Sequence, residues 1–127
     1  MTLILWTGKN GEMLFNHRRC SRDSQVIADI FKMYDPSALY VSAYSAPLFE
    51  GARVITDIKE AENGILFLEE LPLSPAFAQA NRLIVYRFDR VYPADVRLEI
   101  PQVFHLKESK EFPGSSHDQI TREVYEK

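Results

Sequence analysis

The stretch Arg82-Leu83-Ile84-Val85-Tyr86-Arg87-Phe88 most constrains what this 127-residue chain can fold into. It has strand length, it is rich in β-branched and aromatic residues, and its apolar run lacks clean alternation. Such a run reads as a central strand of a sheet. Asp89-Arg90-Val91-Tyr92-Pro93-Ala94-Asp95 follows as a polar loop, and Val96-Arg97-Leu98-Glu99-Ile100 alternates as an edge strand does.

The rest of the chain supplies short elements around that strand. Leu3-Ile4-Leu5-Trp6 and Met13-Leu14-Phe15 flank Gly8-Lys9-Asn10-Gly11, which predicts an N-terminal β-hairpin. Val26, Ile27, Ile30, Phe31 and Tyr34 share one face at helical spacing, predicting a helix near 23–34 capped by Ser21 or Asp23 and ended by Asp35-Pro36-Ser37. Leu39-Tyr40-Val41, Arg53-Val54-Ile55 and Ile65-Leu66-Phe67-Leu68-Glu69 are further strands, with a helical turn near Asp57–Ala61. Pro72 and Pro75 limit Leu71–Ala80 to a short helix starting near Pro75. Phe104-His105-Leu106 pairs as well, Pro113-Gly114 breaks the chain, and Ser116 with Gln119 has the capping-box spacing for a C-terminal helix near 117–126. The expectation is one compact domain over residues 1–127, α/β or α+β, built on a mixed sheet.

Composition sets outer bounds. Apolar residues make up 46% and charged residues 26%, an ordinary balance for a globular chain able to bury one core. The net charge of −3 argues against a general nucleic-acid binder but leaves room for a local basic site. Cys20 is the single cysteine, so no internal disulfide forms, and Leu3–Trp6 is too short for a signal peptide. A reducing cytoplasm and no membrane association are the default expectations.

Three segments resemble a family of small bacterial proteins found mainly in gut Firmicutes: Leu14–Asp23, Leu83–Asp95 and Glu111–Tyr125. Ala43–Phe49 and Ile65–Glu70 are similar to that family too. Its members often carry the label ribonuclease Z, which implies a metallo-β-lactamase fold with two zinc ions in a His-x-His-x-Asp-His site. That motif is missing here, where His17, His105 and His117 are scattered singly. The resemblance therefore implies no catalytic residue and no RNA-processing role.

The main candidate site is the run His17-Arg18-Arg19-Cys20-Ser21-Arg22-Asp23, just ahead of the expected helix. Positive charge at a helix N-terminus opposes the macrodipole. An anion held between Arg18, Arg19, Arg22 and the first free N–H groups would resolve the conflict, with His17 beside it. A solvated turn whose arginines pair with Glu12 or Asp23 is the plainer account. Secondary candidates are Arg87 and Arg90, at or beyond the end of the strongest strand, and Ser116 and His117 at the second expected helix start. Ser116-His117-Asp118 invites a triad reading, but neighbouring side chains fan outward, and a triad converges from separate elements. No residue set has a recognised metal-ligand spacing, and no cofactor is implied.

Two functions follow from these residues. One is a small cytoplasmic domain binding phosphate or a nucleotide-like ligand, with hydrolysis, through His17 or His117, as the least demanding chemistry. The other is a non-enzymatic, immunity-type protein that masks a basic partner through Asp57, Glu60, Glu62, Glu69 and Glu70.

Overall fold

The computed structural model describes residues 1–70 and 73–127, so the expected helix segment's Leu71 and Pro72 lie outside the described residues. Ten strands are described: β1 (Thr2–Thr7), β2 (Glu12–Phe15), β3 (Arg18–Arg19), β4 (Leu39–Ser42), β5 (Arg53–Ile55), β6 (Ile65–Phe67), β7 (Arg82–Phe88), β8 (Val96–Arg97), β9 (His105–Phe112) and β10 (Ile120–Glu126). Two α-helices join them, α1 (Ser24–Met33) and α2 (Ser74–Gln79). Seven strands form one mixed sheet in the order β5-β4-β6-β1-β7-β10-β9, and a small sheet has the order β3-β2-β8.

The first five strands of the large sheet run parallel, and β10 and β9 close it antiparallel. β7 lies inside the sheet between β1 and β10. Its Leu83, Ile84, Val85 and Tyr86 are fully buried, because both faces are covered. Alternation divides the core accordingly. Leu3, Leu5, Leu66, Leu83 and Val85 face one side with Ala76, Leu98 and Phe104, while Ile4, Trp6, Phe67, Ile84 and Tyr86 face the other with Val26 and Ile30 of α1. Each such buried Leu, Ile, Val or Phe contributes about 1.5–3 kcal/mol of transfer free energy.

The N-terminal hairpin is not formed as expected. β1 has β6 on one edge and β7 on the other, so no edge remains for β2, which pairs with β3 and β8 in the small sheet. The turn between them survives: the Gly8 N–H donates to Glu12 O at 2.8 Å. Gly11 there has φ +91°, and a Cβ on it would stand 2.9 Å from the Leu98 carbonyl oxygen. Only glycine allows both that backbone conformation and that approach.

The C-terminal helix near 117–126 is replaced by β10, which pairs with β7 along its whole length. Without it the open edge of β7 would leave main-chain N–H and C=O groups unpaired, and Ile120, Thr121, Val124 and Tyr125 suit a strand. The N–H of Ser116 goes to Asp23, so Ser116 caps no helix. β9 forms the far edge, and its exposed Lys107, Glu108, Lys110 and Glu111 keep that edge soluble.

Candidate functional site

The parallel strands all end at one edge of the sheet, the place where such sheets hold ligands. Three ends build a crevice of about 380 Å³ there: Ser42 at the end of β4, Ile55 and Thr56 at the end of β5, and Leu68 and Glu70 beyond β6. Ile55, Ile58, Leu66 and Leu68 make an apolar wall. Ser42, Tyr44, Thr56 and Glu70 supply the polar groups. The Ser42 hydroxyl donates to Oε1 of Glu70, and among the described residues Oε2 of Glu70 has no hydrogen-bond partner. Glu70 also lines an adjoining cavity of about 290 Å³ with Leu14, His17, Asp95 and Val96.

Below the crevice Glu69 is 1% exposed and fully engaged. It accepts from Trp6 Nε1 at 3.0 Å, from Ser45 Oγ at 2.6 Å, and from Arg19 at two points, Nε to Oε1 at 2.8 Å and Nη2 to Oε2 at 2.9 Å. The hydrogen bond to Glu69 raises the Arg19 guanidinium above its ordinary value, against the opposing effect of burial. Arg19 also stacks over Tyr44, with Cζ 4.5 Å from the ring centroid, and its N–H donates to the Tyr44 hydroxyl at 2.9 Å. This cluster ties the segment after β4 to the segment after β6, and both to β3.

The other basic residues are dispersed. His17 is exposed on the two-residue turn between β2 and β3, where Asn16 and His17 have φ +50° and +65°, and Arg18 is exposed at the start of β3. Arg22 is exposed and lines a separate cavity of about 260 Å³ with Ser24, Ser115 and Ser116. Arg87 pairs with Glu123 across the β7–β10 ladder at 2.6 Å, and the Arg90 carbonyl accepts from Lys9. The N-terminus of α1 is filled from within the chain. Asp23 is its cap, and the same carboxylate accepts from the N–H groups of Gln25, Ser115, Ser116 and His117. Asp23 is thus the anion that balances the helix start, and it holds the 113–119 loop rather than an arginine.

The acidic residues do not form one face. Glu69 is buried, Glu70 meets Ser42, and Asp57 with Glu60 makes a capping box on the short 3₁₀ turn Ile58–Ala61. Sequence reading overlooked Ser42 and Thr56, and it named Glu70 only as part of an acidic surface for a basic partner. The strand-end rule that marked Arg87 applies equally to the residues after Leu39–Val41 and Ile65–Phe67, and that signal was present.

Fold and crevice together define a single-domain α/β protein with a ligand-sized cleft at the C-terminal ends of its parallel strands. No protein-family model matches the chain, and no curated protein matches it either. Among solved structures it is similar to the dihydrofolate reductase of Enterococcus faecalis in complex with NADP(H) and RAB-propyl, at a TM-score of 0.68 and 9% identity, over 99% of this chain and 95% of that one. The fold is therefore dihydrofolate-reductase-like. This overturns the resemblance to the family labelled ribonuclease Z, for neither a family model nor the structure supports it. Among the described residues no helix is long and apolar enough to cross a membrane.

Proposed function

We propose that the protein binds a small molecule with a flat ring bearing N–H donors, a nucleobase or another amino-heterocycle, in the crevice at the β4, β5 and β6 ends. The observation that carries this reading is Glu70: one carboxylate, with an oxygen to spare, at the rim of a largely apolar cleft. A ring fills the space between Ile55, Ile58, Leu66 and Leu68, and its N–H groups satisfy the carboxylate. The described lining includes no basic residue, which disfavours a phosphate in the crevice itself.

A phosphate-bearing, nucleotide-like ligand is the second reading. It is favoured by the cavity that Arg22 lines with Ser24, Ser115 and Ser116, beside Asp23, and by the NADP(H) held in the similar reductase structure.

Thermal shift separates the two, using adenine, 2-aminopyridine and benzamidine against phosphate, AMP and NADP. A ligand at a hundredfold excess over its Kd stabilises the native state by about 2.7 kcal/mol. Shifts with the ring compounds that Glu70→Gln abolishes support the crevice reading. Shifts with phosphate compounds that Arg22→Ala abolishes, and Glu70→Gln leaves intact, move the function to the second site. No shift with any probe overturns both.

A further inference from the structure

A second constellation lies away from the crevice. The loop between β9 and β10 folds over the start of α1 and buries His117, which is 4% exposed. Its ring stacks on Phe88 with centroids 4.2 Å apart and planes 9° apart, so its orientation is fixed. Nδ1 lies 2.9 Å from Oδ2 of Asp23. Nε2 lies 3.2 Å from Oγ of Ser21 and 2.6 Å from the Tyr92 hydroxyl.

The chemistry of these contacts assigns the protons. Asp23 accepts main-chain N–H bonds from four residues, an arrangement that suits only the ionised carboxylate. An ionised carboxylate cannot donate, so Nδ1 carries the imidazole proton and Nε2 is the acceptor. The two hydroxyls therefore share the single lone pair of Nε2, with Tyr92 the nearer donor. Ser21 keeps part of its surface in solvent, whereas the side chains of His117 and Asp23 are 1% and 0% exposed. A cavity of about 260 Å³ runs along the residues that follow Ser21. The hydroxyl and the carboxylate stand two residues apart ahead of α1, and the base reaches both from the distant 113–119 loop, one ring nitrogen on each, which the consecutive Ser116-His117-Asp118 could not do.

We propose that Ser21 is a nucleophile that takes an acyl group from small activated carboxylic esters, with His117 as its general base and Asp23 as a positioning residue. Oγ of Ser21 forms a bond to the carbonyl carbon while its proton passes to Nε2. The tetrahedral centre then collapses, the bond to the leaving oxygen breaks, and that oxygen takes the proton from Nε2. Water attacking the acyl-Ser21 carbonyl by the same proton path releases the acid and restores the hydroxyl. Tyr92 competes with Ser21 for the Nε2 lone pair, so it restrains the base in the resting protein.

The test is p-nitrophenyl acetate in mildly alkaline buffer, read by p-nitrophenol release, intact mass and peptide mapping. The expected result is one acetyl group on Ser21, absent in Ser21→Ala, and acylation a few-fold faster in Tyr92→Phe. Acetyl found only on Tyr92, Cys20 or lysines overturns the proposal, as does a Ser21→Ala protein with an unchanged burst. For Asp23 the readout is the pH profile of acylation. Asp23→Asn removes the counter-charge of the imidazolium and moves the midpoint to lower pH; an unmoved midpoint removes Asp23 from its role. Should Asp23→Asn fail to fold, Ser21→Ala and Tyr92→Phe still decide the rest.

Discussion

Arg19 and Glu69 form a two-point ion pair, with N–O distances of 2.8 and 2.9 Å and a carboxylate that is almost wholly shielded from solvent. The pair joins the small sheet, through β3, to the strand-end segment after β6. A basic run that looks like a ligand site in sequence thus spends one of its arginines on an internal carboxylate.

Arg19→Ala leaves Glu69 buried with only Trp6 and Ser45 as donors. Removing one partner of a buried pair costs about 3–5 kcal/mol. Arg19 retains some solvent contact, so roughly 2–3 kcal/mol is expected by urea denaturation. Arg18→Ala, at an exposed site, should stay within about 0.5 kcal/mol of wild type. Equal losses from the two variants would contradict the role given to the pair.

Stability should fall at acid pH through Asp23. Burial pushes its carboxyl up, but hydrogen bonds from the Ser115 N–H, His117 and the Gln25 and Ser116 N–H groups outweigh burial and hold it well below 3.8. The unfolded chain then takes up the proton first. The contribution is complete above 3.8 and is lost as pH falls below that value toward the folded one. Denaturation curves from neutral pH down to about pH 3 should show the decline, and Asp23→Asn should flatten it while lowering stability at pH 7 by about 3 kcal/mol. A wild-type curve with no acid decline would remove this account.

Gly11→Ala introduces a Cβ at φ +91° and 2.9 Å from the Leu98 carbonyl oxygen. The left-handed backbone costs about 1–2 kcal/mol for an L-residue, and the contact adds to it. A loss of about 2 kcal/mol or more is expected. Calorimetry showing no change would mean that the β1–β2 turn relaxes freely.

Tyr86→Phe removes the hydroxyl that donates to Asp29 at 2.6 Å, while Arg122 still holds the same carboxylate at 2.8 Å. Since Asp29 keeps a charged donor, the expected cost is about 1–2 kcal/mol. Arg122→Ala should cost more, because it leaves the carboxylate half-buried without its counter-charge. The two values measured by chemical denaturation check the order.

Elements with one dominant periodicity were legible. Arg82–Phe88 has too many apolar residues in a row for anything but an interior strand, and α1 shows its buried face and its Asp23 cap within one turn. β10 was not legible, because Ile120 and Val124 stand four residues apart, a spacing that serves a helix face and a strand face alike. The hairpin reading failed for a non-local reason: β6 and β7, distant in sequence, occupy both edges of β1.

The sequence alone determined the materials: one α/β or α+β domain, a central strand over 82–88, a helix after the basic run, and the polar groups available for chemistry. Only the tertiary structure decided their partners. Arg19 meets Glu69 across 50 residues, and Asp23 meets His117 across 94. Local pattern records how a segment folds on itself, whereas ion pairs, strand edges and crevices arise where segments far apart in the chain come together, and burial then fixes which charges must be paired.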